Sequence, residues 1–209
     1  RSKELSLMGF TTIKVKLNPS SARQFPDLIE LNRENGIDFM YRLDGNRSFT
    51  KDEFQELTRN IEKKDLLHKI EYIEEPCENL SLGEAPIKIA ADESAFNREQ
   101  IFKLAKSGIK YFILKPTILG GVETAVTISS ELLSLGAHST ITSTLETSVG
   151  RRHIIHTLMK YSHQNITGLA TGDLFQLDFL PDSSVFSGRQ YFTPEELRWL
   201  NSLEWETLP

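Results

Sequence analysis

Three carboxylates in this 209-residue sequence stand at the ends of short apolar or β-branched runs: Asp44 closes "IDFMYRLD", Glu74 lies in "YIEEP" and Asp92 in "IAADES". A strand that ends in an acid and then turns presents that acid at a rim rather than in a core. Lysines bracket the trio in chain order. Lys14 and Lys16 of "IKVKL" are two residues apart and so point the same way from a strand, while Lys115 follows "YFIL". Alternation also separates the acidic pairs, setting Tyr72, Glu74 and Pro76 on one face and Ile73 and Glu75 on the other. Carboxylates brought within a few ångströms repel one another unless a cation lies between them. A hard oxygen set without Cys or His selects Mg²⁺ over Zn²⁺. Lysines on both flanks then suit proton abstraction next to the carboxylate of a small-molecule substrate. The metal neutralises the enediolate oxygens, and one lysine, its pKa lowered by the other, takes the proton.

Each of these residues has a plainer reading when taken alone. Asp44 before a turn is an Asx-type cap, the lysine pair guards a strand edge, and Lys115 opens a loop at Pro116. Only the constellation outweighs those readings. A Schiff-base role for Lys16 or Lys115 leaves the acids unexplained. Glu75 and Glu93 read as supporting or surface acids. His153 and His156 stand three apart on a helical stretch, with no further ligand nearby, and the preceding "GRR" suggests a solvated face. Cys77 has no base placed for it and reads as an inert thiol. Trp199 and Trp205 read as packing residues.

Seven runs recur along the chain: "FTTIKVKL", "IDFMYRLD", "KIEYIEE", "IKIAAD", "KYFILK", "STITST" and "ITGLAT". Between most of them lie helical stretches. Thr50 with Glu53 forms a capping box opening "KDEFQELTRNIEKKDLLHK", and Gly108 and Gly136 stand where helices need a left-handed C′ residue. Thr193, Pro194 and Glu196 mark a further helix start. Strand and helix alternating every 20 to 30 residues or so predicts βαβ units and a parallel sheet. No Gly-rich dinucleotide loop follows an early strand, so a (β/α) TIM-type barrel is favoured over an open doubly wound sheet. Chemistry in such a barrel sits at the C-terminal ends of the strands, where the acids and lysines are.

Composition is consistent with this. The chain is 39% hydrophobic and 25% charged, carries a net charge of -5, and shows no shift marking a boundary, so residues 1–209 read as one domain. The acidic balance argues against a nucleic-acid partner. No apolar run approaches the length that spans a bilayer, and the single cysteine suits a reducing cytoplasm.

Taken together and in order, "IKVKL", "RLDGNR", "YIEEPC", "AADES", "LKPTILGG" and "TSTLETSVG" resemble the enolase superfamily, with the closest match to the o-succinylbenzoate synthase family, over about Phe10 to Gly150. The resemblance implies that Asp44, Glu74 and Asp92 bind Mg²⁺, and that Lys16 is the acid/base. It implies that Lys115 stabilises the enediolate, with Lys14 and Asn46 in support. Ser143 and Thr144 would meet a succinyl tail. The implied reaction is syn dehydration of a cyclohexadiene carboxylate towards menaquinone. Family members carry an N-terminal capping domain and a first barrel strand ahead of the "KVK" strand. Neither is in this sequence, and "RSKELSLMG" reads as the tail of the helix after that strand. An incomplete barrel exposes strand edges, which invites self-association. The same metal and lysines would also serve a dipeptide or N-acylamino-acid epimerase, and a non-catalytic barrel fragment that needs a missing portion is the reading from another class.

Overall fold

The computed structural model describes residues 1–80, 85–160, 167–169, 185–186 and 189–190. Six strands, β1 Thr12–Lys16, β2 Met40–Asp44, β3 Ile70–Glu74, β4 Ile89–Ala91, β5 Tyr111–Leu114 and β6 His138–Ile141, form one sheet in the order β1-β2-β3-β4-β5-β6. Every neighbouring pair is parallel. The order never reverses, so the sheet has no switch point of the doubly wound kind. It is also curled. The Tyr72 hydroxyl on β3 lies 3.1 Å from Thr140 Oγ1 on β6, whereas in a flat sheet three strand spacings would hold them ~14 Å apart. The six described strands curl as in the (β/α) barrel expected. The start of the seventh run is visible as a parallel bridge between Thr142 and Gly168.

Helices α1 Ser2–Leu7, α2 Pro19–Ala22, α3 Phe25–Glu34, α4 Lys51–Lys63, α5 Arg98–Lys106, α6 Pro116–Leu119, α7 Val122–Ser134 and α8 Ser148–Lys160 connect or flank the strands. Two apolar clusters fill the space between the helices and the outer sheet face. One centres on Phe25, Tyr41, Leu43, Phe54 and Ile73, the other on Ile101, Phe112, Leu114, Ala125 and Ile141. A third, small cluster of Tyr72, Ala90 and Ile113 lines the inner face. Alternation along each strand thus separates lumen from helix layer.

The caps form as their residues dictate. Glu53 accepts from the Thr50 amide at 2.8 Å, and Thr50 Oγ1 accepts in return from the Glu53 amide at 3.3 Å. Gly108 and Gly136 adopt φ of 105° and 69°. The stretch after Thr50 is shorter than its periodicity suggests. It stops at Lys63, Asp65 turns through φ 55°, and Leu67–Lys69 forms a 3₁₀ turn into β3. The helix start at Thr193, with Trp199 and Trp205, lies outside the described residues, as do Ile166, Ala170 and Thr171 of "ITGLAT". Among the described residues no helix is long and apolar enough to cross a membrane.

Candidate active site

The lysines and acids gather at the C-terminal ends of the first five strands. β1 carries Lys14 and ends at Lys16, level with Asp44 at the end of β2, which in turn is level with Glu74 at the end of β3. Asp92 follows β4 and Lys115 follows β5. Asp44, Glu74 and Asp92 are buried, at 3%, 2% and 6% exposure. Lys14 Nζ sits between two of them, 2.8 Å from Asp44 Oδ2 and 2.6 Å from Glu74 Oε2. Lys115 Nζ pairs with Asp92 Oδ1 at 2.5 Å. That buried oxygen accepts no hydrogen bond of regular geometry among the described residues. Lys16 is exposed and makes no ion pair among the described residues.

Burial pushes the Glu74 carboxyl up to about 7 against the opposing pull of Lys14, and the negative charges of Asp44 and Asp92 add to the rise. Burial likewise raises Asp92, with Lys115 opposing. Burial alone would lower Lys14, but the charge of Glu74 and the hydrogen bonds to Asp44 and Glu74 outweigh it and push the ammonium up to about 12. Of the lysine pair, Lys14 is therefore a fixed countercharge.

The donor set, three buried carboxylates with neither nitrogen nor sulfur, suits a hard divalent cation. Its present arrangement is salt-bridged. Lysine ammoniums screen the acids in separate groups, and among the described residues no three His, Cys, Asp or Glu side chains stand close enough to share one ion. Mutual repulsion explains this, since buried carboxylates need a positive partner and the ammoniums supply it.

Asn46 follows Asp44 on a left-handed turn at φ 42°. Its amide donates to Asp44 Oδ1 at 3.2 Å and its side chain reaches Glu93 at 3.3 Å. Ser143 is buried just past β6, its amide 3.5 Å from the Gly168 carbonyl. Thr144 is exposed and donates its amide to Glu146 at 2.7 Å. The structure thus brings Asn46 beside the acids and puts Ser143 and Thr144 on the neighbouring β6 loop.

Sequence reasoning placed Glu75 in a supporting role without saying what it supports. It is fully buried at φ 35°, accepting from the amides of Asp92 at 3.1 Å and Ser94 at 2.8 Å and from Arg47 Nε at 3.2 Å. One carboxylate therefore fixes the loops after β2 and β4 around Glu74. Gly45 makes the same junction possible. Its amide donates to the Glu74 carbonyl at 2.9 Å, and an added Cβ would fall 2.7 Å from Pro76 Cα. Glu146, quoted only within "TSTLETSVG", accepts from Thr117 as well as from Thr144, which ties the loop after Lys115 to that after β6. Beneath the acids, Arg42 pairs with Glu71 at 2.7 Å and lies over the Tyr72 ring. Register explains the pair: Tyr41 faces Ile70 but Arg42 faces Tyr72, so Glu71 is bulged out of the ladder.

The solvated face expected for the two histidines holds, but the arginines of "GRR" do not share it. His153 and His156 are exposed, but Arg151 and Arg152 are buried, and Arg151 donates to the Glu146 carbonyl at 2.8 Å. Arg151 points inward, where it supplies a donor to a backbone carbonyl of the β6 loop. Cys77 is buried and burial raises its thiol, as an inert cysteine requires.

Comparison with known proteins agrees with this architecture. Residues 2–195 match the family model described as enolase C-terminal domain-like. The o-succinylbenzoate synthase of Escherichia coli strain UMN026 is 30% identical over 173 residues, covering 80% of this chain and 53% of that protein. The one from Haemophilus influenzae is 27% identical over 185 residues, covering 86% and 55%. The chain therefore spans little more than half the length of these relatives. Among solved structures, MenC from Desulfotalea psychrophila superposes with a TM-score of 0.75 at 23% identity, covering 89% of this chain and 54% of that one. Muconate lactonizing enzyme from Pseudomonas putida gives 0.77 at 19% identity, covering 96% and 60%. At such identities the likeness is one of fold. Strand order, the acids and lysines at the strand ends and the match over nearly the whole chain agree: this chain belongs to the enolase C-terminal domain-like family.

Proposed function

We propose that this chain forms the catalytic barrel of a Mg²⁺-dependent lyase of the o-succinylbenzoate synthase kind. It would act on a cyclohexadiene carboxylate in menaquinone biosynthesis. The observation that carries the reading is the array at the strand ends: Lys14 and Lys16 on β1, acids on β2, β3 and β4, and Lys115 on β5. The curated relatives named above support the choice of reaction.

Asp44, Glu74 and Asp92 would hold the ion, and bound Mg²⁺ supplies the Lewis-acid charge that stabilises an enediolate. Among the described residues no carboxylate pairs with Lys16, which would accept the α-proton. After C–O cleavage it returns that proton to the departing hydroxyl, so both steps occur on one face of the ring. Lys115 opposes it across the inner face and stabilises the developing negative charge. Lys14 stays protonated and opposes the rise that burial imposes on Glu74. Asn46 orients Asp44 through its amide, and Ser143 and Thr144 would receive the succinyl tail.

The test is to supply the cyclohexadiene substrate to the purified chain and follow the aromatic product by absorbance, with Mg²⁺ and with EDTA. N-acyl amino acids in deuterated water form a parallel arm. Metal-dependent aromatisation is expected. Deuterium wash-in at the amino-acid α-carbon, without aromatisation in the first arm, would replace the lyase with an epimerase.

A further inference from the structure

At the other end of the same strands a cavity, about 920 Å³ in volume, opens at the base of β4, β5 and β6. It lies beside the β3–β4 crossover. The β1–β2, β2–β3, β4–β5 and β5–β6 connections each carry a helix, but no helix occurs among the described residues 75–80 and 85–88 joining β3 to β4. Ile87 and Ile109 form part of the apolar wall that a helix would otherwise cover. Lys88 and Lys110 supply its charge, and Tyr111 and His138 are stacked at its floor with centroids 5.3 Å apart. Lys88 Nζ lies 5.3 Å above the Tyr111 ring, and among the described residues neither lysine has a carboxylate partner. Among the described residues no acid lines the cavity, although the chain as a whole carries a net charge of -5.

Two ammoniums without a carboxylate partner beside an apolar wall, with no acid among the described lining residues, form a defined combination. The geometry points to a binding site for a small organic carboxylate with an apolar body, separate from the candidate active site. The carboxylate would take charge-assisted hydrogen bonds from Lys88 and Lys110, and the body would lie against Ile87 and Ile109. Separation is built into the strands. Lys110 and Lys115 bracket β5, five residues apart, which at strand rise is ~16 Å. Between them the lumen is filled by Tyr72, Ala90 and Ile113.

Benzoate is the probe, titrated into the 209-residue chain by calorimetry. Saturable binding is expected, weakened about tenfold or more in the K88M/K110M double variant, a change equal to ~1.4 kcal/mol. Benzamide, which keeps the ring and loses the charge, should bind about tenfold more weakly than benzoate as well. K115M, at the opposite end, should leave benzoate affinity unchanged. Both substituted basal lysines are exposed, so thermal melts of the double variant should match the parent. Three results would overturn the site: no saturable benzoate binding, binding indifferent to K88M/K110M or to loss of charge, or binding abolished by K115M.

Discussion

Among individual side chains, the pair on β1 divides the work. Lys14 and Lys16 are alike in sequence, yet Lys14 is clasped by Asp44 and Glu74 while Lys16 makes no ion pair among the described residues. On the proposed reading the proton-transfer role falls to Lys16. Replacing it with Met should lower turnover of the cyclohexadiene substrate by about 10²–10⁴-fold. Because its side chain is exposed, the same change should leave the thermal melt and the response to Mg²⁺ unaltered. A variant that keeps activity would assign the base elsewhere. Cys77 offers a separate check at this level. Buried, with its thiol pushed up by its surroundings, it should react with a disulfide reagent only as fast as the chain opens. Reaction at the rate of a free thiol in native buffer would contradict its burial.

The elements matter because the site is made at their ends. Strand pairing runs past the last ladder residues. Gly45 donates to the Glu74 carbonyl, Arg47 to the Glu75 carbonyl at 2.7 Å and Phe49 to the Pro76 carbonyl at 3.1 Å. This docking of the β2 loop onto the β3 loop puts Asp44 and Glu74 side by side, and it needs a residue without Cβ at position 45. Gly45→Ala should destabilise the fold by about 1–3 kcal/mol in urea unfolding, because backbone rather than a flexible side-chain end must move. Glu75→Gln is predicted to have a subtler effect. The amides of Asp92 and Ser94 keep an acceptor, but the ion pair with Arg47 is lost, so Mg²⁺ affinity should fall about 10–100-fold with little change in secondary structure. Calorimetric Mg²⁺ titration of the variant against the parent measures this.

For the molecule as a whole, the barrel concentrates buried negative charge at one end and meets it with lysines. A divalent ion that replaced the ammonium contacts would relieve that charge only in the folded chain. Mg²⁺ at a hundred times its dissociation constant should therefore add about 2.7 kcal/mol of stability, seen as a rise in melting temperature, and Asp92→Asn should remove most of the gain. A melt indifferent to Mg²⁺ in the parent would show that the acids hold no ion. The basal cavity belongs to the same view of the molecule, since the described residues of the β3–β4 crossover form no helix over the far end.

Much of this was legible in the residues themselves. Alternation along "IKVKL", "RLD" and "YIEE" fixes which side chains share a face, and in a parallel sheet that puts Lys14, Asp44 and Glu74 together at one end. The capping box at Thr50 and the left-handed glycines are likewise local chemistry, decided within a few residues. Contacts between distant segments were not legible, because they depend on how far loops travel and on which buried donors lack partners. The inward turn of Arg151 and Arg152, the bulge that frees Glu71 for Arg42, and the grip of Glu75 on the β4 loop all arise from that accounting. Sequence by itself determined the kinds of groups at the strand ends and their order around the sheet. Only the tertiary structure decided that Lys14 and Lys115 are paired with the acids while Lys16 is not, because hydrogen-bond partners are settled by distances of a few tenths of an ångström, which local periodicity does not encode.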